Sequence, residues 1–157
     1  MSRDEEQEEK FEKQLQEQIM EQIRKLYSET VIDHWQNPRN FKTLISPDGY
    51  ARVKGVCGDT MEMFLRVKDE NVIECTFQTD GCGTTIVCAS VATELAIGKP
   101  FIEALGSVSA AEILRVLGGL PEESAHCAQL AAETLRRALA DYLSQKSAPW
   151  MKNYRKT

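Results

Sequence analysis

From Tyr50 to Gln78 the side chains alternate in character with a period of two, and after Asp80-Gly81-Cys82-Gly83 the repeat lengthens to that of a helix. Ala51, Val53 and Gly55 give a first strand signal. Met61, Met63, Leu65 and Val67 alternate with Glu62, Phe64, Arg66 and Lys68, and Ile73, Cys75 and Phe77 alternate with Glu74, Thr76 and Gln78. Successive side chains on a strand point to opposite faces, so each run predicts a strand buried on one side. Asp69-Glu70-Asn71 is the turn between the second and third, which makes that pair an antiparallel hairpin. Strands gathered in one segment, without strand-helix alternation, argue against a parallel βαβ sheet. The predicted class is α+β, a three-stranded antiparallel sheet covered by helices.

Helical signals flank the strands. Residues 2 to 26 contain no Gly or Pro, and Phe11, Leu15, Ile19, Ile23 and Leu26 recur at spacings of four, four, four and three, one stripe of a helix. The spacing predicts an extra N-terminal helix, solvated except for one docking face. Ser28-Glu29 restarts a helix through Asp33-His34-Trp35 that stops before Asn37-Pro38, and Pro38 to Pro47 reads as a loop. Thr84 to Ile97 is small and apolar on nearly every side, the pattern of a buried helix, ended by Gly98 and Pro100. Phe101 to Leu105 is a short helical turn, and Ser109-Ala110-Ala111-Glu112 has the form of a capping box for a helix ending at Gly118-Gly119. The final helix sets Leu130, Leu135, Ala138, Leu139 and Tyr142 inward and Gln129, Glu133, Arg136, Arg137 and Asp141 outward. It starts either near Pro121, with Glu122 and Glu123 in the first turn, or three residues later with Ser124 as cap. Residues from 144 onward are polar and basic and read as a loose tail.

The chain carries 24 acidic against 19 basic side chains, a net charge of -5, which argues against a nucleic-acid scaffold. No stretch approaches the roughly 18 uninterrupted apolar residues that span a bilayer, and Met1-Ser2-Arg3-Asp4-Glu5-Glu6 holds no apolar signal core. A cytoplasmic location without membrane contact is expected. In that setting Cys57, Cys75, Cys82, Cys88 and Cys127, an odd set, argue against a disulfide framework. Metal binding, thiol chemistry and plain burial remain as uses, and the absence of any CxxC removes the usual signal of zinc ribbons and thioredoxin-like pairs.

Local context separates the five. Gly58 permits a tight turn in which Cys57 and Asp59 can face the same side. In Gly81-Cys82-Gly83 the flanking glycines expose backbone N-H groups where a helix begins, and a helix N-terminus favours thiolate over thiol. His126-Cys127 lies near the start of the last helix, where the dipole is again expected to favour thiolate and the imidazole offers a ligand or a proton partner. Soft thiolates with a carboxylate or imidazole suit zinc or an iron-sulfur cluster. Cys75 on a strand and Cys88 within the apolar helix read as buried small hydrophobes, and His34 as structural or at a contact surface.

The run Tyr27-Ser28-Glu29-Thr30-Val31-Ile32-Asp33-His34-Trp35-Gln36-Asn37-Pro38-Arg39-Asn40, then Val56-Cys57-Gly58-Asp59, Asp80-Gly81-Cys82-Gly83 and His126-Cys127-Ala128-Gln129-Leu130-Ala131, resembles the IscU/NifU-type iron-sulfur cluster scaffolds. The likeness spans about residues 27 to 145 and leaves a helical extension at 1–26 and a basic tail at 146–157. It implies a scaffold or carrier rather than an enzyme, with Cys57, Asp59, Cys82, His126 and Cys127 as ligands of iron in a transient [2Fe-2S] cluster. It further implies a cysteine desulfurase as sulfur donor, Cys127 as the sulfur acceptor, and iron-sulfur acceptor or carrier proteins as recipients. Zinc suits the same ligands in the cluster-free protein, and a homodimer stays open.

Two departures bear on this reading. Where bacterial and mitochondrial scaffolds carry Leu-Pro-Pro-Val-Lys, the motif grasped by an Hsp70-type chaperone, this chain has Leu120-Pro121-Glu122-Glu123-Ser124, without the second proline and the lysine. Chaperone-assisted transfer is therefore not expected. The alternative resemblance is to zinc-dependent SufU-like sulfur acceptors, which act as sulfurtransferases, but these carry an insertion between the second and third cysteines. Here Cys82 and Cys127 are only 45 positions apart, as in the scaffolds.

Overall fold

A computed structural model describes residues 2–148. Nine elements are assigned among them: α1 Arg3–Leu26, α2 Glu29–Gln36, β1 Gly49–Lys54, β2 Thr60–Lys68, β3 Asn71–Thr79, α3 Gly83–Ala96, α4 Phe101–Ser107, α5 Ala110–Leu117 and α6 Ala125–Ser147, with a 3-10 turn at Glu122–Ser124 before the last. The sheet is antiparallel in the order β1-β2-β3, as the alternation predicts. α6 lies across β1 and β2 while α3 packs on β3 and α6, so the sheet has one helical cover.

The core grows from the inward positions of that pattern. Met61, Met63, Leu65, Cys75 and Phe77 are fully buried and meet Val87, Cys88, Val91 and Ala92 of α3 and Leu135, Ala138 and Leu139 of α6. α3 buries residues on nearly every face, which is why its sequence shows no polar stripe. Gly49 lets α6 lie close to β1, because a Cβ there would stand 2.6 Å from the Ala138 carbonyl.

Several expectations are corrected. Ile73 is 43% exposed and Val72 is fully buried, the reverse of a simple alternation. A bulge between Arg66 and Val67 shifts the pairing, so that Val67 faces Val72 while Leu65 faces Cys75, and the inward phase changes within β3. Thr76 is buried too, opposite Phe64 on the outer face, where Phe64 stacks on Tyr50 at 5.2 Å. Gly55 lies just past β1. The hairpin turn is the two residues Asp69 and Glu70, both in the left-handed region at φ 53 and 70.

Of the predicted caps, Ser28 accepts from Val31 N and Ser109 from Glu112 N. Glu112 does not complete a capping box, because its carboxylate is taken by Arg115. At the last helix neither predicted start holds alone. Pro121 opens the 3-10 turn and Ser124 precedes α6 without a side-chain cap. Asp141 is not turned outward but accepts the Tyr50 N-H, fastening α6 to β1. The tail expected from residue 144 begins later: α6 continues to Ser147, with Lys146 paired to Glu70 and 5.3 Å from the Phe101 ring centroid. Residues 149–157 of that tail lie outside the described residues. The extra helix is present as α1, opened by a reciprocal Ser2-Glu5 capping box.

Two segments protect the free edge of β3. Phe77 N donates to Asn40 O at 2.9 Å, and the 98–101 segment bonds Val72 and Glu70. An exposed edge would invite pairing with another chain, and this one is covered at both ends.

Candidate functional site

The site forms where three local structures meet at one end of the sheet. The first is the turn joining β1 to β2. Gly55 N bonds Asp59 O at 2.7 Å, Gly58 N bonds Gly55 O at 3.1 Å, and Gly58 takes φ 91, which a residue with a Cβ adopts only with strain. Cys57 stands exposed near its tip beside Val56, while Asp59 turns back toward α3. The second is the entry to α3, where Cys82 is the N-cap residue and is exposed. The third is the first turn of α6, which carries His126 and the buried Cys127.

Two threonines join these pieces, and sequence reasoning passed over both. Thr85, fully buried, donates to Asp59 Oδ2 at 3.0 Å and stands 3.4 Å from Cys127 Sγ and 3.7 Å from Cys82 Sγ. Thr84 Oγ1 lies 3.1 Å from Cys82 Sγ and 3.6 Å from Cys127 Sγ. His126 Nε2 is 3.7 Å from Cys127 Sγ. Asp59, Cys82, His126 and Cys127 are thus brought into one patch. Cys57 borders it and acts on it through charge, which helps to raise the Cys127 pKa. The signal for the threonines was their place, directly after Gly83 in the first turn of a helix made mostly of small and apolar residues.

Glycine on either side of Cys82 serves packing as well as exposure. A Cβ on Gly81 would stand 2.7 Å from Thr85, and one on Gly83 would stand 2.9 Å from Trp35 Nε1. Trp35 therefore lies against the helix entry from α2. Together with Ile23, Tyr27, Val31, Ile32, Cys82, Thr84 and Val87 it lines a cleft of about 330 Å³ that opens beside Cys82.

The thiols differ in protonation. The Thr84 hydroxyl bonded to Cys82, aided by the backbone N-H groups of Thr85 and Thr84, lowers the Cys82 pKa to about 7 against the opposing effect of partial burial. Burial raises Cys127 instead, so the thiolate expected there from the helix dipole is not favoured in this conformation. One proton on Thr85 cannot serve two acceptors. Since it goes to Asp59, the Cys127 S-H is left to donate to the Thr85 oxygen. Burial raises Cys75 to about 12 and raises Cys88 further, consistent with core thiols.

His34 is structural. It is 4% exposed, its Nδ1 contacts Ser90 Oγ at 2.7 Å, and Nε2 lies 3.4 Å from Glu94. The Arg39 N-H also donates to Ser90 Oγ, so the buried Ser90 hydroxyl ties the end of α2 and the loop after it to α3.

Among the described residues, no three His, Cys, Asp or Glu side chains are already gathered to hold a metal ion. The donors surround the threonines rather than one another. Chemically the set fits iron or an iron-sulfur cluster: three soft thiols, one hard carboxylate and one imidazole.

A three-stranded antiparallel sheet under helices, with thiols and a carboxylate near one end, defines an α+β domain with a thiol-rich patch at the end of its sheet. The NifU-like N terminal domain family matches residues 26–149, and the chain belongs to that family. It is 45% identical over 118 residues to the iron-sulfur cluster assembly scaffold protein IscU 1 of Archaeoglobus fulgidus, covering 74% of this chain and 76% of that one. To the scaffold protein IscU of Escherichia coli K12 it is 40% identical over 129 residues, covering 78% and 98%. Its fold is shared with the N-terminal NifU-like protein of Brucella abortus at TM-score 0.62 and 19% identity, covering 78% of this chain and 98% of that one. It is also shared with a putative scaffold protein for the SUF system of Fervidobacterium islandicum at TM-score 0.59 and 22% identity, covering 73% and 96%.

Proposed function

We propose that this protein is a scaffold on which a [2Fe-2S] cluster is assembled and from which it is passed on. The observation that carries the reading is the convergence of Asp59, Cys82 and Cys127 on the single hydroxyl of Thr85, in a chain of this family whose curated relatives are named as scaffolds. Cys57, Cys82 and Cys127 would hold the cluster as thiolates, with Asp59 as the exchangeable fourth ligand and His126 as its alternate. A carboxylate is harder than a thiolate and is replaced more readily, which suits cargo that must leave.

Sulfur would come from a cysteine desulfurase, with Cys127 as acceptor. In the present conformation Cys127 is 1% exposed, so the donor has to open the Thr84-Thr85 contact before the thiol is reached. His126, adjacent and 3.7 Å from the sulfur, is placed to take the thiol proton as that happens. Cys82 needs no such opening and is the competing acceptor. The partners that follow are the desulfurase and iron-sulfur acceptor or carrier proteins, and no role for an Hsp70-type chaperone is proposed.

A zinc-bound, SufU-like sulfur acceptor is the second reading, supported by a donor set that also suits tetrahedral zinc. The 45-position spacing from Cys82 to Cys127, without an insertion, favours the scaffold. Transfer distinguishes them. A scaffold loaded with cluster activates an added apo-ferredoxin in proportion to the cluster it loses, whereas a zinc sulfurtransferase passes on sulfur but no iron.

A further inference from the structure

We infer that α1 is a self-association element that pairs antiparallel with the α1 of a second copy of this chain. The helix runs 24 residues, about 36 Å, and none of its residues is buried. Phe11, Leu15, Ile19 and Leu26 are 66, 47, 49 and 70% exposed, and together they form one stripe. An isolated helix gains little stability in water without burying its apolar face, so the stripe calls for a cover.

Charge selects the occupant and its direction. Residues 3–12 hold six acidic and two basic side chains, and residues 13–26 hold two acidic and three basic. Two parallel copies would set acidic half against acidic half. Two antiparallel copies set the acidic half of each against the partner's more basic half, and their helix dipoles oppose favourably. With Leu15 level with the partner's Ile19, Phe11 comes level with the partner's Ile23.

This register reaches the site. Ile23 and Tyr27 wall the 330 Å³ cleft that opens beside Cys82, so the stripe runs into the cleft without a break. The partner's Phe11, level with Ile23, covers its outer end and shields Cys82. The pairing rests on α1 and its charges, and does not depend on the scaffold reading.

Sedimentation equilibrium of the full chain, with metals chelated, tests the pairing across a micromolar to hundred-micromolar series. The expected result is a dimer that Leu15→Glu with Ile19→Glu weakens at least about tenfold while far-ultraviolet circular dichroism shows the body still folded. Because the antiparallel pair sets an acidic half against a more basic one, raising sodium chloride from low to high concentration weakens the dimer. A monomer throughout the series overturns the proposal and leaves the stripe to another protein. A dimer indifferent to the Leu15 and Ile19 changes also overturns it, and a dimer that salt strengthens, as two opposed acidic halves would be, overturns the antiparallel direction. Cys82 is alkylated more slowly in the wild-type dimer than in the Leu15→Glu, Ile19→Glu variant. Equal rates overturn the placement of Phe11 over the cleft.

Discussion

Thr85 donates its hydroxyl proton to Asp59 Oδ2 across 3.0 Å, joining the first turn of α3 to the β1-β2 turn. The same oxygen lies within 3.7 Å of two cysteine sulfurs, so a single buried side chain sets the spacing of the proposed ligands before any metal arrives. Thr85→Val keeps the shape and removes the bonds. Asp59 is partly exposed and water can replace its lost donor, so stability should fall by only about 1 kcal/mol in denaturant titration. Cluster yield on reconstitution should fall much further, and Thr85→Ser should recover it. Equal loss of yield in both variants would remove the hydroxyl from the account.

Asp59→Ala should lengthen the life of the reconstituted cluster, because the exchangeable carboxylate is gone. The decay of visible absorbance, alone and with an apo-ferredoxin acceptor, measures this. An unchanged or shortened lifetime argues against Asp59 as the releasing ligand.

Alkylation of the apoprotein should order the thiols by protonation and access. Cys82, exposed and with its pKa lowered to about 7 by the Thr84 hydroxyl, should react slowly below that pH and faster as the pH rises through it. Thr84→Val should move the midpoint upward. Cys75 and Cys88 should stay unmodified in the folded protein, since both are fully buried. With a desulfurase and cysteine added, peptide mass spectrometry should find persulfide on Cys127, and finding it only on Cys75 or Cys88 sinks the assignment.

Gly83→Ala should destabilise the domain by about 1–3 kcal/mol in urea titration, because the new methyl meets the Trp35 indole at 2.9 Å. Trp35 fluorescence should shift as the ring moves. An unaltered spectrum and stability would show that the α2-α3 contact is looser than described.

Removing residues 1–26 should leave the fold and cluster binding intact, since α1 buries none of its residues and the family match starts at residue 26. Loss of the cluster on truncation would mean that α1 is needed to hold the cluster and does more than shield Cys82.

Much of this architecture was legible because period and burial coincide. Alternation placed all three strands, and the all-round apolar surface of α3 marked a helix buried on every side. Legibility failed where tertiary contacts broke the local rule. The bulge at Arg66-Val67 reversed the phase of Val72 and Ile73, which a period of two cannot register. Asp141 looked outward on a helical wheel, yet the Tyr50 N-H of β1 drew it in. At the site, Cys57, Asp59, Cys82, His126 and Cys127 stood out by residue type and turn context. Thr85 did not, because a threonine early in a helix is ordinary until the Asp59 turn folds over it. The thiolate expected at Cys127 failed for a similar reason, since the helix dipole was visible in the sequence and the burial opposing it was not.

Anaerobic reconstitution with ferrous iron, cysteine, a cysteine desulfurase and a dithiol reductant that brings persulfide sulfur to sulfide, followed by the visible absorption spectrum and by iron and sulfide analysis, tests the central claim most directly. The account predicts thiolate-to-iron charge-transfer bands with iron and sulfide in equal amounts, lost when Cys57, Cys82 or Cys127 is changed to Ser. A colourless protein that keeps stoichiometric zinc under these conditions, or bands that survive all three substitutions, would contradict it.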